Sequence, residues 1–193
     1  MIKKTNDAIS RSDRVLFAAL AIVLATVSAT FGAAMSYRPH VPATAAAAPQ
    51  SGQDIVLAQL VAEHHCLTEA LYYEARGEGR MGEQAVAEVV FHRMSAGKYG
   101  HSICAVVYEG SSHRGCQFSF TCNGDLNRPR EARAWKKSEQ LAAQILTGEA
   151  PLRDATGGAT HYHAISVRPR WAPTLLKTAH IGNHIFYRGT RES

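Results

Sequence analysis

The chain has 193 residues, 46% of them hydrophobic, 19% charged and 8% aromatic. That length fits one globular domain with an appendage, and the composition excludes a disordered or fibrous chain. A net charge of +5, from 21 Lys+Arg against 16 Asp+Glu, is too mild and dispersed for a nucleic-acid partner and suits an anionic polymer or a membrane surface.

Residues 1–14 carry Lys3, Lys4, Arg11 and Arg14 against Asp7 and Asp13. Residues 15–37, Val15 to Tyr37, hold no charge, and Arg38 follows. At about 1.5 Å per residue such a helix would span the roughly 30 Å hydrocarbon layer. The basic flank keeps the N-terminus in the cytoplasm and sends the rest across. The segment therefore reads as a transmembrane signal anchor, or as a signal peptide with small-residue cleavage sites around Ala43-Thr44-Ala45. Residues 38–53 are a Pro/Ala-rich linker with no hydrophobic face to bury. The folded domain is expected over 54–193.

Within it, Asp54–Ala75 predicts a helix, with Leu60, Leu67, Leu71 and Glu74 on one stripe and Arg76-Gly77 as its stop. Gly82–Met94 predicts a second helix burying Ala85, Val86, Val89 and Val90, and Ser102–Tyr108 a short third. Gln117–Thr121 alternates like a strand, with Phe118 and Phe120 on one face. Residues 130–147 predict a fourth helix, and Thr160–Val167 and Ile181–Arg188 two strands. The fold class is α+β, mainly helical with a small antiparallel sheet.

Cys66, Cys104, Cys116 and Cys122 all fall in the exported part, so two disulfides are expected, in one of three pairings. A straight strand from Cys116 to Cys122 would hold its ends some 20 Å apart, beyond disulfide reach. Either that segment curls or those two pair elsewhere.

Glu74 carries the most chemical information, because it continues an apolar stripe. A carboxylate carried toward the core at a helix end is desolvated, which favours its neutral form. A carboxylic acid protonated near neutral pH is what glycosidic cleavage needs to protonate a leaving oxygen. The alternative is a glutamate turned outward or paired with Arg76. Glu78 suits a structural role, holding Arg76 or accepting N–H groups of the next helix. Phe118, Phe120, Tyr162, Trp171 and Tyr187 offer faces for sugar rings, and Gln117, Ser119, Asn123 and His163 offer hydrogen bonds. A zinc site is the competing reading, built from His161, His163 and one of His180 or His184, although no His-Glu-x-x-His motif exists.

Tyr73-Glu74-Ala-Arg-Gly-Glu78-Gly79, then Gly82-x-x-Ala85-Val86-Ala87, Val90-x-x-Arg93 and Ile103-x-x-Val106-Val107-Tyr108, resemble the catalytic domain of the SleB-like cell-wall hydrolases, the spore-cortex-lytic enzyme family. Gln117-Phe118-Ser119 and Ile181-Gly182-x-His184-Ile185-Phe186 continue the likeness, which spans about residues 64–188. The membrane segment and the cysteines are more like the Gram-negative branch.

The resemblance implies a lysozyme-like fold acting on peptidoglycan glycan strands, with Glu74 as catalytic acid and no metal or cofactor. Substrate contacts are expected from Gln117, Phe118, Ser119, Tyr162 and His163, with Arg76 and Glu78 in support. Where many relatives have aspartate before the glycine, this chain has Asn123-Gly124-Asp125. With no evident second carboxylate, the implied reaction is lytic transglycosylation between N-acetylmuramic acid and N-acetylglucosamine, giving a 1,6-anhydro ring. A zinc amidase or peptidase cutting the peptide stem and a non-catalytic wall-binding protein are the other readings. The expected location is the periplasmic face of the inner membrane, or the periplasm or exterior if the N-terminal segment is cleaved.

Overall fold

A computed structural model describes residues 51–112 and 115–189. The run Val15–Tyr37 and the linker up to residue 50 lie outside the described residues. Among the described residues, no helix is long and apolar enough to cross a membrane.

The first helix, α1, runs Gly52–Ala75, starting two residues earlier than its hydrophobic pattern. Ser51 sets that start: its hydroxyl accepts the Asp54 N–H while the Asp54 carboxylate accepts the Ser51 N–H, a reciprocal capping box. Leu67 and Leu71 are fully buried, but Leu60 is 56% exposed, and its apolar neighbours Val56, Leu57 and Val61 are more exposed still. The stripe is continuous along α1; the body that covers it begins only about residue 66.

α2 (Gly79–Ser95) buries Ala85, Val86, Val89 and Val90 as expected, and it also buries Glu83, Glu88 and Arg93. α3 (Ile103–Val107) is short and begins on a Ser102 cap. α4 (Ala132–Leu146) begins on Glu131, whose carboxylate accepts the N–H groups of Arg133 and Ala134. The four helices close one core around Leu71, Val90, Val106, Phe118, Phe120 and Ala142. Cys66–Cys104 ties α1 to α3 within it.

Gln117–Thr121 is not a strand. Ser119–Thr121 is a turn of 3-10 helix, and Cys116–Cys122 closes it at a Cα separation of 6.4 Å. The segment curls, as the disulfide geometry requires if those two are to pair.

The sheet has three strands rather than two: β1 (His161–Ala164), β2 (Leu176–Ile181) and β3 (His184–Arg188), antiparallel in the order β1-β3-β2. The predicted strand Ile181–Arg188 overran a hairpin, since Gly182-Asn183 is the turn joining β2 to β3. β2 escaped sequence reading because half of it is exposed, none of it is fully buried, and it bulges between Lys177 and Ala179. On the inner face, Phe186, Tyr162, Ala179 and Ile181 pack against Ala85 and Val89 of α2.

The hairpin tip is clasped from the α1–α2 corner. Glu78 accepts the Asn183 N–H at 2.7 Å and its side-chain amide at 3.0 Å. Gly182 sits at φ +55°, and a Cβ placed there would lie 2.1 Å from a Glu78 carboxylate oxygen. Gly182→Ala is therefore expected to lower unfolding free energy by about 2 kcal/mol, from left-handed backbone strain plus displacement of Glu78. An unchanged denaturant midpoint would show that the hairpin tip is not held this way.

Candidate active site

Glu74 stands in the last turn of α1 and points at the sheet. Tyr162 of β1 donates its hydroxyl to Glu74 Oε2 at 2.9 Å, joining residues 88 positions apart. Burial raises the Glu74 pKa above the ordinary carboxylate range. The Tyr162 hydrogen bond and the positive charge of Arg93 pull against that shift, and the negative charge of Asp125 adds to it. Tyr162 keeps its proton, because burial and the Glu74 carboxylate both raise its pKa well above the usual value. Glu74 is thus neither turned to solvent nor paired with Arg76, whose guanidinium lies 4.8 Å over the Tyr72 ring.

Arg93 is a buried cation behind this pair. Its Nε donates to the Thr160 carbonyl at 2.9 Å, and its guanidinium lies 5.0 Å from the Phe118 ring centre and 5.4 Å from that of Tyr99. Its Nη1 is buried with no hydrogen-bond partner among the described residues. The Arg93 charge favours the ionised form of Glu74. Sequence reading placed it only within a motif; its signal was its position at the end of the apolar row Val86, Val90.

Asp125 is the carboxylate whose charge reaches Glu74, and both of its oxygens are engaged. Oδ1 pairs with Arg128 at 3.0 Å, and Oδ2 accepts from the Asn123 amide at 2.7 Å. Its carbonyl accepts the Tyr73 hydroxyl at 3.3 Å, which ties this loop to α1 beside Glu74. A cleft of about 230 Å³ opens there, walled by Tyr73, Arg76, Asp125 and Arg128 among others.

The remaining sequence candidates are scattered. Phe118 and Phe120 are each only 1% exposed, so they are core and not sugar platforms. Burial of two aromatic rings is what lets this short disulfide-closed turn fold inward. Gln117 and Ser119 alternate with them and are exposed on the same turn. Tyr162 and His163 are adjacent on β1 and so point to opposite faces. Tyr162 faces Glu74, whereas His163 stacks on Tyr187 on the outer face and bonds its hydroxyl at 3.0 Å. Glu78 holds neither Arg76 nor the N-terminus of α2. Its hydrogen bonds from Asn183, the backbone N–H foremost, lower its pKa.

The histidines are divided by the same alternation. The strand register puts His161, His163 and His180 on the outer face and His184 on the inner one. Trp171 covers the outer face, with its ring 5.5 Å from His161 and 5.7 Å from His163. His184 lies edge-on to Tyr162 at 5.3 Å, and burial lowers its pKa. Among the described residues, no three His, Cys, Asp or Glu side chains converge as a metal centre would require.

Comparison with known proteins fits this architecture. The chain is 26% identical over 121 residues to the spore cortex-lytic enzyme of Halalkalibacterium halodurans, covering 62% of this chain and 33% of that protein. It is 25% identical over 122 residues to a spore cortex-lytic enzyme of Bacillus cereus, covering 42% of it. The matches thus span well under half the length of these relatives. The fold is similar to the catalytic domain of the germination-specific lytic transglycosylase SleB from Bacillus anthracis, with a TM-score of 0.50 at 24% identity, covering 65% of this chain and 93% of that one. The cell wall hydrolase family model matches residues 77–187, beginning three residues after Glu74. That match takes in α2, α3, α4 and the whole sheet up to Tyr187, more than half of the chain, and so this protein is a member of the cell wall hydrolase family.

Proposed function

We propose that the protein cleaves the bond between N-acetylmuramic acid and N-acetylglucosamine in peptidoglycan, as a lytic transglycosylase using Glu74 twice. The observation that carries this reading is a carboxyl at the end of α1 whose pKa burial raises, bonded to Tyr162, while the nearby Asp125 is already engaged by Arg128 and Asn123. Glu74 protonates the glycosidic oxygen as the bond breaks. The Tyr162 hydroxyl and the Arg93 charge then stabilise the carboxylate left behind. That carboxylate takes the proton of the muramic 6-hydroxyl, whose oxygen closes on C1 to form the anhydro ring. A hydrolytic outcome ordinarily calls for a second free carboxylate to direct water or attack C1. Asp125, tied on both oxygens, is poorly suited to that work.

Family membership and the curated relatives' name, spore cortex-lytic enzyme, support a cell-wall substrate. The apolar run Val15–Tyr37 supports export, with the catalytic domain held at the periplasmic face of the inner membrane as in the Gram-negative branch. The zinc reading receives no geometric support: His184 lies on the opposite face from His161 and His163, and His180, which shares their face, does not converge with them as a metal centre requires.

Tyr162→Phe tests the acid's tuning. The hydroxyl stabilises the ionised form of Glu74, so its loss raises the Glu74 pKa further. A general acid works while protonated, so the alkaline limb of the pH–rate profile should move to higher pH. The maximal rate should fall by about tenfold, because the spent carboxylate loses a hydrogen bond. An alkaline limb that stays in place or moves lower would mean that Tyr162 does not act on the catalytic acid.

A further inference from the structure

A second cavity is larger than the one beside Asp125. It is a cleft of about 830 Å³ between the C-terminal end of α2 and the start of β1, lined by His92, Lys98, Tyr99, Thr160, His161 and Arg188 among others. No carboxylate lines it. Lys98 and Arg188 have no ion-pair partner within 4.0 Å among the described residues, whereas His92 meets the Asp154 carboxylate at 3.3 Å. Two exposed cations of different chain segments thus face one concave space without a countercharge. The Lys98 charge is felt inside it. Burial lowers the His161 pKa, and the charges of Arg93 and Lys98 lower it further.

The cleft is close to the chemistry. Thr160 and His161 lie on its wall, and the next residue, Tyr162, bonds Glu74. Arg93 connects the two places, since its Nε donates to the Thr160 carbonyl on the cleft wall at 2.9 Å and its charge acts on both His161 and Glu74. In the reaction proposed above, on which this inference rests, the muramic sugar sits at the acid and carries a peptide on its lactyl group. An extended four-residue peptide reaches about 13 Å beyond that sugar.

We infer that this cleft is a subsite for the peptide stem, in which Lys98 and Arg188 receive the stem's carboxylate groups. Tyr99 forms part of the lining, as does Thr160, whose hydroxyl meets His161 Nδ1 at 3.0 Å. The wall polymer is anionic because of those carboxylates, so the subsite would select stem-bearing glycan over bare glycan.

The test uses the full-length protein on three soluble glycan strands: stem-bearing, stripped of stems, and stem-bearing with the carboxylates capped as amides. Wild type should cut the first about fivefold faster than the second, a ratio expected for two exposed ion pairs, and the capped strands should behave like the stripped ones. The preference should shrink as salt rises. In Lys98→Ala/Arg188→Ala the ratio should fall to near one, and Lys98→Arg should keep it. Equal cutting of stem-bearing and stripped strands by wild type would overturn the subsite while leaving glycosidic cleavage intact. So would a double variant that keeps the preference. No cutting of any of the three by wild type would instead remove the glycosidic reading on which the subsite depends.

Discussion

Glu74→Gln is expected to lower the rate of peptidoglycan solubilisation by about 10³-fold with the fold unchanged. Glutamine matches the shape of the neutral acid, and its amide oxygen still accepts the Tyr162 hydroxyl that now reaches Glu74 Oε2 at 2.9 Å. What it lacks is the proton for the leaving oxygen and, afterwards, the charge to take one back. Both halves of the proposed cycle therefore fail together. Replacing a buried acid by its neutral isostere removes a desolvation cost, so the thermal midpoint should hold or rise slightly. A variant retaining a tenth or more of wild-type rate would show that the proton comes from elsewhere.

The second large effect falls on stability, at a residue that takes no part in the proposed chemistry. Glu88 of α2 is 3% exposed and accepts three backbone N–H groups, from Arg153 at 3.2 Å, Ala155 at 3.0 Å and Thr156 at 2.8 Å. These belong to the loop that leads through Gly157-Gly158 into β1, and so to Tyr162. Glu88→Ala would strand all three donors beneath the surface. At about 1–3 kcal/mol for each buried group left unmade, partly offset by entering water, a loss of about 4 kcal/mol is expected. Chemical denaturation measures the total, and hydrogen exchange at residues 153–156 should show the loop opening first. A change under about 1 kcal/mol would mean that the loop finds other partners.

Glu88 also shows where sequence reading stops. An apolar stripe marks the buried face of a helix by its hydrophobic members, so Ala85, Val86, Val89 and Val90 were legible. Glu83, Glu88 and Arg93 are buried on the same helix, yet each answers to a partner that only the tertiary fold brings near. Ser138 of α4 gives Glu83 a hydrogen bond at 2.7 Å, and the 153–156 loop satisfies Glu88. Glu74 was legible for the opposite reason. It extends the stripe of Leu67 and Leu71, and its desolvation follows from that position alone.

Other differences are geometric. Periodicity tells which way a side chain points but not where the covering body ends, and so Leu60 extends the stripe into solvent. Pairing Tyr162 with His163 as joint substrate contacts overlooked the alternation of a strand, which sends one to Glu74 and the other to the outer face. The short spacing of Cys116 and Cys122 held the information that Gln117–Thr121 must curl if they pair. Only the fold shows that they do. Gly182-Asn183 was the one direct signal for the hairpin, and with it the missing strand β2.

The central claim concerns the fate of the muramic C1, and mass spectrometry of the soluble products from purified wild-type protein and Glu74→Gln measures it most directly. The account predicts 1,6-anhydro-muropeptides from wild type and none from the variant. Reducing-end muropeptides from wild type would contradict it by showing water attack, and free stem peptides still released by Glu74→Gln would place the chemistry away from Glu74 altogether.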